Sequence, residues 1–383
     1  MDKLPKGWFL KRLEEVAAYQ KKQGLFDLPY VGMEHIESKT AVFIGKLQPQ
    51  RVKSSTFSFT QDDVLYGRLR PYLCKVLAPD FFGHCSTEIF PIRVKQGLDR
   101  QFLKYWLLSD NTTKEIESTC SGSRMPRADM NKVQKIQIPL PPLSEQTRIV
   151  SKLDALFTCI DKSIALLEEN INHTKGLMAS VLEEVFENGK DWKKEPLNKV
   201  AKVERGKSKH RPRNDQKLFG DSYPFIQTGD VRSANKYIDK YEVCYSEFGL
   251  KQSRLWNKGT ICLTIAANIG DVAILGFDAC FPDSVVGITP NSMNNEFLYY
   301  YLKTLQLQLD KKANSAAQKN INLKILSEID VPVPSIEIQN SFADRFSRLE
   351  EKQFQILSAQ QSKLTYLKAL KSSLLDRAFK GEL

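Results

Sequence analysis

Hydrophobic residues recur every three or four positions along two long stretches of the chain, a spacing that places them on one face of an α-helix. The first stripe consists of Ile149, Leu153, Leu156, Ile160, Leu167, Ile171, Met178, Val181 and Val185. The second consists of Phe342, Phe346, Leu349, Ile356, Leu364, Leu367, Leu370, Leu374 and Ala378. Prolines exclude a helix before Ser144, and Gly189 ends the first pattern. We therefore predict a first helix of about 44 residues, roughly 65 Å long, and a second like it at the end of the chain.

A different pattern precedes each stripe. It opens with a short helical pattern at residues 7–18 or 191–203, and continues with short runs typical of β-strands. The predicted strands are residues 56–60, 64–66, 74–78 and 88–94 in the first region, and 224–227, 260–265, 272–276 and 285–289 in the second. A helix with aromatic anchors follows, beginning near Phe102 or Phe297, and its spacing favours packing against the sheet. Each region is therefore predicted to be a compact α+β domain.

The two halves of the chain are copies of one unit. At the start, Trp8, Leu13, Val16 and Ala17 recur at one constant offset as Trp192, Leu197, Val200 and Ala201. Further along, residues 138–141 (IPLP) recur at a larger constant offset as residues 331–334 (VPVP), and the same offset maps Gln146 onto Gln339. The ends of the units match while the middles have diverged, and the second middle is longer.

The repeat suggests how the long stripes are buried. A stripe of this length cannot be covered by a small domain, so we expect the two helices to pack on each other, antiparallel, and to hold two globular domains apart. Polar Thr158, Ser163, Gln353 and Gln360 interrupt the stripes and argue against a perfect heptad coil. A dimerisation coil between two chains is the alternative. The predicted fold is α+β, with mixed α/β domains at residues 1–142 and 191–334, long antiparallel helices at residues 143–190 and 335–383, and a pseudo-twofold internal repeat.

Composition narrows the class of protein. Hydrophobic residues make up 42% and charged residues 26%, as in a folded globular protein. The formal net charge of +11 favours a polyanionic partner but is weak evidence alone. The 7 cysteines form no CxxC motif, so we expect reduced, mostly buried thiols. Without a signal peptide or a long apolar run, the chain is expected to be cytoplasmic and to contact no membrane.

Catalytic motifs are missing from the sequence. It has no GxGxxG, Walker, HEXXH or GxSxG motif and no Asn/Asp-Pro-Pro-Tyr/Phe motif. His35, His84, His173 and His210 have no metal-ligand spacing. Asp283, together with residues 310–312 (DKK), imitates a nuclease pattern only loosely. We expect no catalytic residue, metal or cofactor.

The loops suit nucleic acid instead. Residues 205–213 (RGKSKHRPR) concentrate cations on a loop, and residues 121–127 and 314–320 offer cationic or amide side chains of the kinds used on phosphates and base edges. Residues 66–70 and 264–268 follow predicted strands at comparable places. The predicted DNA-binding residues are Tyr66, Arg68, Arg70, Arg124, Arg127, Lys207, Lys209, Arg211, Arg213, Asn268, Gln318, Lys319 and Asn320.

Two segments carry a resemblance to a known family. Residues 136–149 (IQIPLPPLSEQTRI) resemble the junction between a target-recognition domain and a conserved helix in the specificity subunits of type I restriction-modification systems. The ending at residues 373–383 (SLLDRAFKGEL) is similar as well, and the resemblance covers nearly the whole chain with its duplication. The second junction, residues 335–339 (SIEIQ), departs from the pattern because it lacks the second proline and the Glu-Gln pair.

The resemblance implies a division of labour. Each target-recognition domain would read one half of a split double-stranded DNA target, and the helices would fix the gap between the halves. Two methyltransferase subunits, which bind S-adenosylmethionine and methylate adenine, would dock on the helices, and ATP-dependent restriction subunits would join through them. The chain itself would be non-catalytic.

Three alternatives stay open at this stage. The chain could be an enzyme with degenerate motifs, a coiled-coil scaffold that does not bind DNA, or the specificity subunit of a type I-like enzyme whose nuclease and methyltransferase are fused. Activity of the isolated chain on DNA would favour the first, and absent or salt-insensitive DNA binding by the assembled complex would favour the second.

Overall fold

A computed structural model describes residues 4–122, 124–266, 269–312 and 323–383, with only the backbone described for residues 306–312. The chain divides into two compact units. Unit 1 comprises Met1–Glu169 and Gln361–Leu383, and unit 2 comprises Asn170–Gln360. Both long helices are shared between the units in this division, so the four predicted domain boundaries stay a prediction.

Unit 1 is built on two small sheets of four strands each. One has the strand order β2-β9-β6-β7 and the other β3-β5-β8-β4, while β1 and β10 pair separately and antiparallel. The strands are β1 (Phe9–Arg12), β2 (Ala17–Tyr19), β3 (Gln23–Gly24), β4 (Tyr30–Val31), β5 (Thr56–Phe59), β6 (Asp63–Gly67), β7 (Val76–Leu77), β8 (Gly83–Cys85), β9 (Ile89–Val94) and β10 (Gln137–Leu140). The helices are α1 (Leu13–Val16), α2 (Arg100–Leu108), α3 (Asp110–Glu117) and α4 (Met130–Val133), and the long helix α5 (Leu143–Asn188) begins in this unit.

Strand β6 connects the two layers of the core of unit 1. Every residue of β6 is buried, and because side chains alternate along a strand, its two faces serve different clusters. Val64 and Tyr66 pack in the cluster that contains Phe102 of α2, whereas Leu65 packs with the second sheet, beside Phe57 and other residues of that layer. The predicted aromatic anchor Phe102 is therefore core, as expected.

Unit 2 repeats this plan with more strands. It has two five-stranded sheets, β12-β21-β18-β19-β15 and β13-β16-β14-β20-β17, and an antiparallel pair of β11 with β22. The strands are β11 (Lys194–Pro196), β12 (Ala201–Arg205), β13 (Phe219–Gly220), β14 (Tyr223–Phe225), β15 (Tyr237–Ile238), β16 (Val243–Tyr245), β17 (Leu255–Trp256), β18 (Ile261–Thr264), β19 (Val272–Leu275), β20 (Ala279–Cys280), β21 (Val285–Pro290) and β22 (Asp330–Pro332). The helices are α6 (Leu197–Val200), α7 (Thr228–Ser233), α8 (Glu247–Gln252), α9 (Asn295–Lys312) and α10 (Leu323–Ser327), and the long helix α11 (Ile336–Lys380) begins in this unit.

The predicted helices at the start of each unit are largely wrong. Only α1 and α6, of four residues each, are helical there. Residues on either side are extended because β1 and β11 pair with the strands at the Pro-x-Pro junctions, while β2 and β12 pair with the main sheets. Strand pairing between distant segments thus overrides the local helical pattern.

The two long helices are those predicted from the stripes. Helix α5 has 46 residues and α11 has 45. In unit 1, Lys371 of α11 pairs with Asp161 of α5 at 2.7 Å and Lys368 pairs with Glu168 at 3.1 Å. From Asp161 to Glu168 the chain runs forward along α5, while the lysines that pair with them run backward along α11, from Lys371 to Lys368. The two helices are therefore antiparallel. In unit 2, Gln353 donates to the backbone carbonyl of Thr174 at 2.5 Å, which explains one polar interruption of the stripe.

A buried glutamine near the start of each long helix fixes the adjoining domain. Gln146 of α5 accepts a hydrogen bond from the Asp99 amide at 2.7 Å and donates to the carbonyls of Gly97 and Pro141, both at 2.8 Å. Its counterpart in α11, Gln339, accepts from the Asn294 amide and donates to the Pro334 carbonyl, again at 2.8 Å. The constant offset that maps Gln146 onto Gln339 in the sequence therefore reflects a shared structural role.

Most of the cysteines are buried, as the composition predicts. Cys74, Cys85, Cys262 and Cys280 are buried free thiols, while Cys159 is exposed. Burial raises the pKa of the Cys280 thiol to about 11. Among the described residues, no helix is long and apolar enough to cross a membrane.

Candidate nucleic-acid interface

Two predicted DNA-binding arginines of unit 1 meet on one carboxylate. The Nε atom of Arg68 donates to Oε2 of Glu88 at 2.9 Å, and the Nε atom of Arg127 donates to Oε1 of the same residue at 3.0 Å. Arg68 also lies over the ring of Phe90, with its guanidinium carbon 5.6 Å from the ring centroid. We call Arg68, Glu88 and Arg127 the arginine clamp.

Backbone hydrogen bonds hold the segments that carry the clamp. The Arg68 amide donates to the Glu88 carbonyl at 2.9 Å, directly before β9, and the Arg68 carbonyl accepts from the Ala128 amide at 2.9 Å. Ser121 and Arg127 exchange two amide-carbonyl hydrogen bonds, which close the loop between them. The predicted loop at residues 121–127 and the segment after β6 thus lie side by side, as part of one surface.

Two further predicted arginines lie at this edge with exposed side chains. The Arg70 amide donates to the Pro126 carbonyl at 2.8 Å, and Arg70 has a left-handed backbone conformation with φ of 51°. Within the part of the chain that the structure describes, neither Arg70 nor Arg124 has a hydrogen-bond or ion-pair partner for its side chain. Both guanidinium groups are free for phosphates.

The prediction for Tyr66 is wrong. Its side chain is 1% exposed and lies in the core beside the α2 helix. Strand β6 is covered on both faces, so Tyr66 is buried, whereas Arg68 lies beyond the end of the strand and is partly exposed. We exclude Tyr66 from the interface.

Residues 205–213 form the basic loop of unit 2, and backbone hydrogen bonds from Gly206 and Lys209 attach its first half to neighbouring segments. The Gly206 amide donates to the Val285 carbonyl at 2.9 Å, and the Lys209 amide donates to the Gln252 carbonyl at 3.1 Å. Gly206 is buried, and a Cβ atom there would lie 2.2 Å from the carbonyl oxygen of Pro282. The predicted loop therefore needs a glycine where it passes the start of β21.

The cationic side chains of this loop fall into two groups, those without a hydrogen-bond partner and those that are already hydrogen-bonded within the protein. Lys207 and Lys209 are exposed, with no described partner for either ammonium group. Arg211 is exposed but donates from Nη1 to the Ser208 carbonyl at 2.6 Å and the His210 carbonyl at 2.8 Å, so its guanidinium also braces the loop. Arg213 donates from Nη2 to Asp283 at 2.8 Å.

The two units place these features at corresponding edges of their sheets. The Ile265 amide donates to the Ser284 carbonyl at 3.0 Å before β21, just as the Arg68 amide donates to the Glu88 carbonyl before β9. The predicted residue Asn268 follows Ile265 but lies outside the described residues, as do Gln318, Lys319 and Asn320.

Acidic residues at these edges are what the sequence analysis missed. Burial alone would raise the pKa of Glu88, but the hydrogen bonds from Arg68 and Arg127 outweigh burial and lower it, so Glu88 is ionised. In unit 2, Glu204 similarly pairs with Arg254, which lies over Trp256 with its guanidinium carbon 4.1 Å from the ring centroid. Nothing in the spacing of these residues along the chain identifies them, because their partners are distant in sequence.

The loose nuclease pattern gains no support. Asp283 is paired with Arg213, and residues 310–312 lie in α9, with side chains outside the described part. Among the described residues, no three His, Cys, Asp or Glu side chains come together in a group that could hold a metal ion.

Comparisons with known proteins agree on one family. The family model for the type I restriction modification DNA specificity domain matches residues 5–172 and again residues 189–366. The EcoDI specificity subunit of Escherichia coli is 30% identical over 189 residues, which are 48% of this chain and 42% of that protein. The putative MjaX specificity subunit of Methanocaldococcus jannaschii is 27% identical over 315 residues, covering 77% of this chain and 71% of the relative. The chain thus spans less than half of the first relative and more than two thirds of the second.

Solved structures extend the likeness to the whole chain. A chain from a structure of a type I restriction-modification system matches with a TM-score of 0.85 and 25% identity, covering 100% of both chains. The HsdS subunit of Thermoanaerobacter tengcongensis matches with a TM-score of 0.65 and 25% identity, covering 100% of this chain and 98% of that one.

Proposed function

The chain belongs to the family of type I restriction-modification DNA specificity domains, and from this premise we propose that it is a specificity subunit that reads a bipartite DNA target. The family domain occurs twice, and this duplication is the observation that carries the proposal. Two domains on one chain supply two readers, and their diverged middles suit two different half-sites. The helices α5 and α11 would set the gap between them.

We propose that the two edges described above are the DNA-contacting surfaces. In unit 1 these are Arg68, Arg70, Arg124 and Arg127. In unit 2 they are Lys207, Lys209, Arg211 and Arg213. Asn268, Gln318, Lys319 and Asn320, which lie outside the described residues, stay DNA-binding residues predicted from the sequence. Free cations such as Arg70 and Lys207 suit phosphates, which dominate affinity, whereas braced arginines suit base edges, which determine sequence preference.

The chemistry would lie in other subunits. We propose that this chain is non-catalytic and carries no cofactor. Two methyltransferase subunits that methylate adenine would bind to it, and restriction subunits would join through them, in the cytoplasm where the DNA lies. A fused nuclease-methyltransferase partner is a variant of the same proposal and is distinguished by the size of the co-purifying polypeptide.

The test is methylation profiling of genomic DNA from cells that express this chain with its methyltransferase partner. We expect a bipartite motif with methylated adenine in each half, and we expect it to disappear when this chain is omitted. A motif that persists without the chain would refute the proposal. A stable complex that methylates nothing and binds DNA no better at low salt than at high salt would favour a scaffold.

A further inference from the structure

We propose that Glu88 is a specificity-determining positioning residue, which directs Arg68 and Arg127 onto a guanine in the half-site read by unit 1. The inference rests on the proposed function and deepens it, because it names both the base and the device that selects it. It is carried by the geometry of the arginine clamp.

The clamp holds each guanidinium by one side only. Both arginines use the Nε atom to reach Glu88, at 2.9 and 3.0 Å, one on each carboxylate oxygen. Arg127 makes one further contact, from Nη1 to the Met125 carbonyl at 3.5 Å. Among the described residues, the terminal nitrogens of Arg68 have no hydrogen-bond partner, and neither has Nη2 of Arg127. What each arginine presents outward is therefore its terminal end.

The terminal nitrogens of an arginine side chain are complementary to the hydrogen-bond acceptors of guanine. Two terminal N–H groups in a planar fork pair with the O6 and N7 atoms of guanine in the major groove, and the other bases lack this pair of acceptors. For Arg68, Nη1 and Nη2 are both free to form the fork. The ring of Phe90 and the carboxylate of Glu88 restrict the plane in which the fork lies.

The carboxylate also makes phosphate an inferior ligand. One negative charge is shared by two guanidinium groups, so the clamp has a net charge of about +1 rather than +2, and a negative group stands beside any phosphate that would approach. Glu88 is only 23% exposed, so this charge is poorly screened. An arginine serving the backbone gains nothing from such a partner, as exposed Arg70 and Arg124 illustrate. A guanidinium group that must point at one base does gain from a carboxylate partner, because the partner holds it in the required orientation.

Unit 2 has a related but different arrangement. Asp283 receives Nη2 of Arg213 on both carboxylate oxygens, at 2.8 and 3.1 Å, so the terminal end of that arginine is engaged rather than presented. At the place that corresponds to Arg68 and Glu88, unit 2 has Ile265 and Ser284. Among the described residues, two arginines share one carboxylate in this way in unit 1 only, so the effect of the clamp should be confined to one half of the target.

The experiment uses the complex of the full chain with its methyltransferase partner. The wild-type motif is first obtained by methylation profiling, and then the variants Glu88→Gln and Arg68→Lys are profiled in the same way. Gln keeps the size of Glu88 but removes the charge, and Lys keeps the charge of Arg68 but removes both the fork and the Nε anchor. The matched control is Glu115→Gln, an exposed position on α3 in the same unit with no described hydrogen bond to its carboxylate.

We expect Glu88→Gln and Arg68→Lys to relax the same guanine position in one half of the motif, with a loss of preference of about tenfold. The other half of the motif and the control should be unchanged. Binding to non-cognate DNA should be retained by Glu88→Gln and should depend more steeply on salt, because the released guanidinium groups become free to neutralise phosphate. A purely structural role predicts instead that cognate and non-cognate binding fall together.

The outcomes separate the two proposals. No bipartite motif from the wild type refutes the proposed function. A wild-type motif that both variants reproduce without relaxation refutes the clamp and leaves the proposed function standing. If Glu88→Gln does not fold, Arg127→Lys takes its place, since it disturbs the clamp without leaving Glu88 unpaired from Arg68. Methylation of the intact half of the motif reports folding within the same molecule.

Discussion

Gly206 shows how closely a single residue fixes the basic loop of unit 2. The chain turns away from β12 at this position and passes against the backbone of Phe281 and Pro282. A methyl group would meet the Pro282 carbonyl oxygen at 2.2 Å, and since that atom is backbone, it cannot move aside cheaply.

We predict that Gly206→Ala lowers the free energy of unfolding of unit 2 by about 1 to 3 kcal/mol, as overpacking does. It should also weaken DNA binding, because Lys207 and Lys209 follow directly. Denaturant unfolding and titration of the complex with DNA measure the two effects. The control is Gly229→Ala in α7, where the new Cβ atom meets nothing within 4 Å and the helix should gain up to about 1 kcal/mol. Equal stability of the two variants would contradict the close approach.

The ionisation of Glu88 gives a second prediction at this scale. Burial opposes ionisation, yet the hydrogen bonds from Arg68 and Arg127 prevail and hold the pKa of the folded state below its usual value of about 4.3. The stabilisation is then complete above that usual value and is lost as the pH falls through the lowered folded-state pKa. The difference in free energy of unfolding between the wild type and Glu88→Gln should therefore be constant from pH 8 to about 5 and should vanish in more acidic solution.

Glu115 provides the control of opposite sign. Glu115 is exposed, but partial burial of its carboxyl group still raises the pKa of that group. The ionised form therefore costs a small amount of stability at neutral pH, reduced by solvent screening, and the cost disappears at acidic pH, where both folded and unfolded states are protonated. Glu115→Gln should therefore match or exceed the wild type at pH 7. The same pH profile for both variants, measured by urea unfolding, would contradict the assignment of the Glu88 shift to the clamp.

The sequence was sufficient to choose the candidate DNA-binding arginines, but not to identify the acidic residue with which they pair. Arg68 and Arg127 could be chosen as candidates because they lie in loops after a strand and beside glycine and proline. Their common partner Glu88 lies in a third segment, which only the pairing of β6 with β9 brings close. The error at Tyr66 has the same origin, because burial of both faces of β6 depends on the second sheet, and no local pattern reveals that sheet.

At the scale of elements, periodicity predicted long helices well and short ones poorly. Helices α5 and α11 are long enough for the apolar stripe to dominate every other signal. Helices α1 and α6 have only four residues, and their neighbours form strands with segments more than seventy residues away. A local sequence pattern carries no information about such long-range strand pairing.

The buried glutamines give a prediction for these elements. Gln146 is 0% exposed and Gln339 2%. Replacing Gln146 with Leu leaves the Asp99 amide and the carbonyls of Gly97 and Pro141 without their partner, and each unsatisfied buried group costs about 1 to 3 kcal/mol. We expect Gln146→Leu to lower the free energy of unfolding of unit 1 by about 2 to 4 kcal/mol, with Gln339→Leu acting in the same direction on unit 2.

Exposed Gln137 on β10 supplies the matched control, since Gln137→Leu removes no described side-chain hydrogen bond. Hydrogen exchange of the amides in α2 and α9 reports each unit separately. If Gln146→Leu accelerates exchange in α2 no more than Gln137→Leu does, the glutamine does not fix the start of α5 to its domain.

At the scale of the whole molecule, the repeat makes a graft possible. Residues 9–140 and 193–333 begin and end at equivalent points, because β1 pairs with β10 as β11 pairs with β22, and each segment leads into a long helix with a buried glutamine. A chain in which residues 9–140 replace residues 193–333 keeps α5 and α11 but carries the first domain twice. If the proposed function holds, both domains of this chain read the same half-site.

The order of those half-sites follows from symmetry. If the internal repeat carries the pseudo-twofold symmetry that the sequence predicts, the second copy reads in the reverse direction, and the grafted chain should methylate an inverted repeat of the first half-site. The reciprocal graft should methylate an inverted repeat of the second, and the two motifs together should contain both halves of the wild-type motif. Methylation profiling of each graft with the same methyltransferase partner measures this. A direct repeat would contradict the twofold relation, and an unchanged wild-type motif would show that sequence preference lies outside the grafted domains.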